Sequence, residues 1–465
     1  MKIFFESIYL FALMNIKKIV FLIIFSQIFI FVAVKTSFAV EFLRDEEPAP
    51  DSVEGIESPI GQTFRIKPRK EVMFPRLREF LQNLPPVFSD TQLDLNVRSY
   101  YFDRSNRDGS ESVAWALGGS ISYESGKLFN LASVGGEVFT SQKLYGPEDK
   151  DGTLLLGPGQ EGFTVIGRAY GQLNYEDKFI VKLYRQYIDS PYVNKQDNRM
   201  VPNTFEGYLF YSNLGPIKFG GGYIARIKRR NSDEFVPMSE IGGIDDVDNG
   251  MFAFGGGYYP SDDFAIGAIN YFVEDIINIF YAESYFVKTT DSGTGIRVSA
   301  QFTDQRSVGD DLLGPEFSTQ VWGGQVAASY VNSIIRFAFS VTSNDRRIIN
   351  PYGGYPGYIS LMVENFNRAG EKAFLVGLSH DVQSEFFEGL SFFTNYAIGY
   401  DAVSDVDREP LANQREFNIT VDYKPERLII RGLWLRVRFA NVNISGEEDS
   451  VNNLRIILNY NLPLL

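Results

Sequence analysis

Lysines and arginines recur at alternate positions of otherwise apolar segments, and that spacing is the main chemical signal in the chain. In residues 217–228, Ile217, Phe219, Gly221, Tyr223, Ala225 and Ile227 share one phase, leaving Lys218, Arg226 and Lys228 on the other. Leu433, Leu435, Val437 and Phe439 leave Arg436 and Arg438 in the same way. Ile296, Val298, Ala300 and Phe302 leave Arg297, and Ile335, Phe337, Phe339 and Val341 leave Arg336. Arg98, Arg168 and Lys182 fall in the same polar phase, where the acids are few: Asp94, Glu137 and Asp422. Guanidinium forks bind carboxylates through two parallel hydrogen bonds. A row of them along a low-dielectric wall concentrates and steers anions. The competing reading is plain solvation and partial pairing of charges on a wet face.

Covalent chemistry is poorly provided for. The chain has no cysteine and one histidine, His380, so thiolate metal sites, disulfides and triads drawing on several histidines are excluded. His380 shares the apolar phase of Phe374, Val376 and Leu378, which suits an interfacial residue better than a catalytic base. Gly220-Gly-Gly222 and Gly255-Gly-Gly257 lie inside strand-like segments with no helix following, so they read as close packing or curvature rather than phosphate loops. These features predict no enzyme, no metal and no cofactor.

A second polar cluster lies in residues 189–207, between strand-like segments at 179–187 and 205–211. Pro191 and Pro202 cannot donate to a sheet ladder, and the stretch is too long for a hairpin turn. Tyr192, Lys195, Asp197, Asn198 and Arg199 suit ordered polar contacts, and we expect the stretch to fold inward and narrow the mouth of a barrel. A surface excursion facing solvent is the alternative.

The elements that must position these groups are strands. From Gln92 onward the period is two, and alternating segments begin near 92, 111, 128, 163, 178, 205, 216, 250, 263, 276, 294, 319, 333, 372, 389, 415, 428 and 453, with the phase ambiguous near 276. Short connections alternate with long ones around 140–162, 188–204, 228–249, 303–318, 343–371, 400–414 and 440–452; the link at 273–275 is an exception. An all-β, transmembrane, antiparallel up-and-down β-barrel of about 18 strands, with short periplasmic turns and long external loops, accounts for this asymmetry. No internal repeat of propeller-blade length is visible.

The first residues read as an export signal. Met14-Asn-Ile-Lys-Lys18 is basic, residues 19–34 are apolar, and Ser37-Phe-Ala39 is a small-x-small cleavage site; Met14 is a possible alternative start. Residues 1–39 are therefore the expected signal peptide. Removing its four lysines and one glutamate takes the net charge from −14 to −17, which argues against nucleic acid as a partner. Much of the acid clusters in expected loops: Glu148-Asp-Lys-Asp151, Asp245-Asp246 and Glu447-Glu-Asp449. Residues 40–90 form an acidic, proline-containing periplasmic segment with a short helix expected over 73–84, and residues 91–465 form the barrel.

Asp197-Asn-Arg-Met-Val-Pro-Asn-Thr-Phe-Glu-Gly207, followed by Gly221-Gly-Tyr-Ile-Ala-Arg-Ile-Lys-Arg-Arg-Asn-Ser-Asp233, resembles the OprD family of substrate-specific porins of the Gram-negative outer membrane. Tyr352-Gly-Gly-Tyr-Pro-Gly-Tyr358 with Arg368-Ala-Gly-Glu-Lys-Ala373 resembles that family's second inward-folded loop. The resemblance runs from about residue 90 onward. It implies an eighteen-stranded barrel, monomeric or a weak homotrimer, in contact with outer-membrane lipid and lipopolysaccharide. It also implies a pore narrowed by two loops, a basic ladder on one side, and passive diffusion of small carboxylate-bearing solutes such as amino acids and organic acids. Carried over by position, Asp197 and Arg199 belong to the constricting loop, and Arg226, Lys228, Arg436 and Arg438 to the ladder. A structural or adhesive barrel with a plugged or non-selective pore is the alternative function.

Overall fold

The computed structural model describes residues 72–465 apart from 177, 291–293, 385–386, 388, 426–431 and 448. The expected signal peptide and residues 40–71 lie outside the described residues. A short helix, α1 (Pro75–Gln82), and one further turn, α2 (Pro86–Ser89), precede the first strand.

Eighteen long strands follow: β1 (Gln92–Ser105), β2 (Glu111–Glu124), β3 (Ala132–Tyr145), β4 (Phe163–Tyr175), β5 (Phe179–Gln186), β6 (Thr204–Leu214), β7 (Ile217–Lys228), β8 (Met251–Ser261), β9 (Phe264–Val273), β10 (Ile277–Thr289), β11 (Gly295–Arg306), β12 (Ser318–Tyr330), β13 (Ser333–Thr342), β14 (Lys372–Asp381), β15 (Leu390–Tyr400), β16 (Gln414–Tyr423), β17 (Leu433–Ile444) and β18 (Val451–Pro463). A two-residue strand, Val236–Pro237, pairs beside β7. Each long strand pairs antiparallel with its sequence neighbours, and β1 pairs with both β2 and β18, Arg98 standing opposite Gly118 and Asn459. The sheet therefore closes and leaves no edge for another chain to extend.

Its polarity is inverted relative to a water-soluble protein. Trp115, Leu117, Ile121, Ile166, Trp322, Phe337, Phe374, Val437 and Ile456 are exposed on the outer face. Their strand neighbours Ala114, Ala116, Arg436, Arg438, Arg455 and Ile457 are buried inside. So continuous an apolar exterior is stable only against lipid, and closure satisfies every ladder hydrogen bond within it.

Three apolar clusters lie within the barrel, where loops meet the wall. One joins Tyr192, Val193, Tyr352 and Tyr355 from loops to Leu209, Tyr271, Ile279 and Tyr281 of the wall. Another joins Met200, Val201, Leu155 and Leu156 to Tyr100, Phe102 and Phe139. The third sets Ile359, Leu361 and Phe366 on Ala338, Leu375 and Ala397.

Candidate functional site

The loop at 187–203, between β5 and β6, leaves one wall and reaches two others. The Tyr192 hydroxyl donates to Thr303 Oγ1 of β11 at 2.9 Å, and its ring meets that of Tyr281 of β10 edge-on. Tyr271 of β9 donates to Ser190 Oγ at 2.9 Å and also to the Pro191 carbonyl. At its far end, Arg98 of β1 donates to Asp197 Oδ1 at 2.6 Å and to the Arg199 carbonyl at 2.5 Å, while Tyr100 donates to the Asn198 carbonyl. β1 and β10 stand nine places apart in a ring of eighteen, so they face one another. A loop touching both crosses the lumen.

Two of its groups work as internal ties. Lys195 pairs with Asp189 at 2.8 Å. Burial opposes ionisation of Asp197, but the adjacent Arg98 guanidinium outweighs it and holds the carboxyl below the usual range. Arg199 donates to the Thr153 carbonyl at 2.7 Å, which joins this loop to the one between β3 and β4.

The loop at 343–371, between β13 and β14, crosses as well. Tyr358 donates to Glu283 of β10 at 3.0 Å, and Ile349 exchanges hydrogen bonds with the Gln305 side chain of β11. Its other end is held by Glu416 of β16, whose carboxylate accepts from the backbone N–H groups of Met362, Val363 and Glu364 at 2.7–3.3 Å. The two crossing loops meet where Asn194 and Gly354 exchange hydrogen bonds of 2.8 and 3.2 Å and the Tyr192 and Tyr355 rings pack edge-on. Gly353 permits that approach, since a Cβ there would lie 2.7 Å from the Asn194 backbone nitrogen. Glu416→Gln turns one acceptor into a donor facing N–H groups. It should cost the anchor about 1.5–3 kcal/mol, the usual worth of a charged hydrogen bond. Faster proteolysis within 343–371, with the barrel intact, is the expected reading; unchanged cleavage would mean the apolar contacts alone hold the loop.

The cations form levels on one wall. Reading the β1–β18 and β17–β18 registers from the external end downward, Arg104 stands opposite Asn453, Phe102 opposite Arg455, Tyr100 opposite Ile457 and Arg98 opposite Asn459. Arg438 stands opposite Arg455, and Arg436 opposite Ile457. Arginine thus occupies four successive inward levels, roughly 7 Å apart at two residues per level. The guanidiniums of Arg199 and Arg455 each lie 5.0 Å from the centre of the buried Phe102 ring, with Arg104 at 6.0 Å, so the ring's negative faces ease the crowding. Arg455 also donates to the Met362 carbonyl at 2.9 Å and Arg438 to Thr420 Oγ1 at 3.1 Å.

The other expected ladder residues fare differently. Arg436 is clamped to Asp422 by two hydrogen bonds of 2.6 Å, and Arg168 pairs with Glu137 and Glu124 at 2.8 and 3.0 Å. Lys182 lies 4.0 Å from the Tyr170 ring centre. Arg336 donates to Asn395, which passes the polar chain on to Asn418 and Glu416. Arg297 faces the lumen over the Tyr285 ring at 4.4 Å, and its Nε has no hydrogen-bond partner. Lys228 is fully buried and spends its ammonium on the Pro202 and Arg229 carbonyls, holding the end of the first crossing loop.

Arg226 does not face inward as its phase predicted. The β6–β7 register shifts at Ala225, so Ile224 and Ile227 both join the interior cluster. Arg226 instead shares the outer face with its partner Glu206 and pairs with Asp248 at 2.8 Å. One extra residue in a strand moves the side chains just beyond it to the other face, although Lys228 at the strand's end still turns onto the crossing loop.

Sequence reasoning overlooked Arg104 and Arg455, although Leu454-Arg-Ile already carried the same alternation. It also undercounted inward acids. Glu283 hides in the ambiguous segment near 276, and Glu416 follows a charged residue, Arg415, that blurs the phase.

The family model described as outer membrane porin, OprD family, matches residues 87–464. Porin D of Pseudomonas aeruginosa PAO1 is 24% identical over 412 residues, covering 81% of this chain and 91% of that one. The crystal structure of P. aeruginosa OccK9 (OpdG) superposes with a TM-score of 0.74 at 22% identity, over 82% of this chain and all of that one. A BenF-like porin from P. fluorescens Pf-5 gives 0.73 at 19% identity, over 81% and 99%. P. aeruginosa OpdK, solved with vanillate, gives 0.70 at 20%, over 80% and 99%.

Proposed function

Since this chain belongs to the OprD family of outer-membrane porins, a family of channels rather than enzymes, we propose that it passes small carboxylate-bearing solutes by passive, selective diffusion. One observation carries this reading: arginine recurs at four successive levels along the β17–β18–β1 wall, where Arg98 meets the crossing loop. A carboxylate handed from one guanidinium fork to the next keeps its solvation at each step, while a neutral solute gains nothing from them. Amino acids and organic acids fit that chemistry. OpdK was solved with vanillate, itself a carboxylate, which favours the same solute class here.

Arg438 and Arg455 are register partners near mid-ladder, and Arg297 is an inward cation on another wall whose Nε, like that of Arg168, lacks a partner. Arg438→Gln with Arg455→Gln, and separately Arg297→Gln, should lower organic-acid flux several-fold and leave neutral-sugar flux nearly unchanged in reconstituted vesicles. Equal losses for both solutes would point to altered pore shape and sink the carboxylate reading.

A second reading, a plugged structural or adhesive barrel, draws on the two loops that cross the lumen and bond to each other at Asn194 and Gly354. Planar-bilayer recording separates the two readings, because a plugged barrel shows no unitary conductance.

A further inference from the structure

The segment leading into the barrel has an apolar face that the other described residues leave largely exposed. Neither α1 nor α2 buries a residue. Leu77 and Phe80 stand three apart on one face of α1, and Met73 before the helix and Leu84 after it are apolar as well, each of the four between 37% and 62% exposed. Eight residues are too few for a stable isolated helix in water, so α1 needs a surface against which to bury that face.

The barrel does not supply that surface. Its contact with α1 is through the opposite side, where Arg78 donates to the Thr91 carbonyl at 2.7 Å. The segment is pinned along the wall's periplasmic end by backbone hydrogen bonds from Met73 to Pro463 at 2.8 Å, Phe74 to Leu464 at 3.2 Å and Gly126 to Val87 at 3.1 Å. Leu128, Phe129 and Leu131 in the neighbouring β2–β3 turn are also exposed, Phe129 by 90%. Tyr123, Val134, Leu173 and Tyr175 on the adjoining strand ends are exposed as well. The exposed face is therefore tied to the end of a wall whose outer surface meets lipid. Charge agrees: residues 65–78 carry Arg65, Lys67, Arg69, Lys70, Arg76 and Arg78 against one acid, Glu71, in a chain whose net charge is −14.

We infer that residues 73–90 form an interfacial foot on the periplasmic-side leaflet. Leu77, Phe80 and Leu84 lie among the acyl chains, and the exposed Arg76 meets anionic phospholipid headgroups. Amphipathic helices with a basic flank bind bilayers through this combination. Such a foot fixes the depth at which β1 enters the membrane.

The absence of cysteine allows a direct test on the full chain. Phe80→Cys and Glu79→Cys, each carrying a nitroxide, are reconstituted in vesicles of phosphatidylcholine alone or with phosphatidylglycerol. Collision rates with oxygen and with a water-soluble nickel chelate are then read by electron paramagnetic resonance. The expected result is an oxygen-rich, nickel-poor site at residue 80, the reverse at residue 79, and a larger contrast with phosphatidylglycerol. Nickel access at both sites in both vesicles would place the helix in water and overturn the inference. Protection of residue 80 from both reagents would mean that protein covers the face, and would overturn it too. Equal contrast in the two vesicle types would overturn the headgroup half alone. None of these outcomes depends on which solute the channel carries.

Discussion

Channels lacking residues 190–203, with a short glycine linker from Asp189 to Thr204, should conduct roughly two-fold more or better and lose most discrimination among solutes, since pore diameter and lining groups set selectivity. The linker is feasible because Gln186 and Phe205 are register partners, so the chain ends lie across one hairpin. The excised segment holds every group that spans the lumen from that side: Tyr192 on Thr303, Asp197 on Arg98, and Asn194 on Gly354. Its removal also frees Arg98 from its carboxylate, adding a cation to the ladder's lowest level. Anion preference should therefore persist while size discrimination falls. Bilayer recordings with ion-substitution reversal potentials read both quantities. Unchanged conductance in a correctly folded deletion variant would mean that the loop at 343–371 alone sets the constriction.

The second large effect is on assembly. Val437 and Arg436 are neighbours on β17, yet Val437 is 36% exposed on the outer face and Arg436 is 5% exposed inside. Val437→Arg should cost about 2–4 kcal/mol near the bilayer midplane. Arg436→Val is not the mild change that a solvated lumen would allow. It strands Asp422, which is buried and also accepts from the Trp434 indole at 2.8 Å. Breaking a buried pair from one side costs about 3–5 kcal/mol, whereas replacing both members is often nearly neutral. Arg436→Val with Asp422→Val should therefore recover most of the loss, and Val437→Arg should find no such partner. Refolding titrations in lipid vesicles measure all three. The Arg436 guanidinium also lies 4.4 Å from the Trp434 ring centre and 5.9 Å from that of Phe393, so a double variant as unstable as Arg436→Val alone would show that the cost lies in that packing rather than in an orphaned carboxylate.

Strand count and orientation were legible from the sequence because two solvents act on one sheet. Lipid outside and water inside enforce a period of two in every strand, and the side chains that obey it can be read one residue at a time. Loop asymmetry was legible for a similar local reason: periplasmic turns need only reverse the chain, so they are short. The alternation that placed Arg297, Arg336, Arg436 and Arg438 inside was equally present at Arg455, and only its use was missed.

Tertiary structure decided the rest, because it depends on which strand lies beside which. The shift at Ala225 that turned Arg226 outward is a property of the β6–β7 pairing and leaves no mark in residues 217–228. Whether an inward arginine serves a solute or a fold depends on partners far along the chain. Arg98 finds Asp197 ninety-nine residues away, and Arg455 reaches a loop carbonyl at Met362, ninety-three away. The four levels of arginine exist only through strand register, which sets residues of β1, β17 and β18 at common heights. Periodicity chooses the face a side chain occupies; long-range pairing chooses its neighbours, and for a charged group the neighbours determine its role.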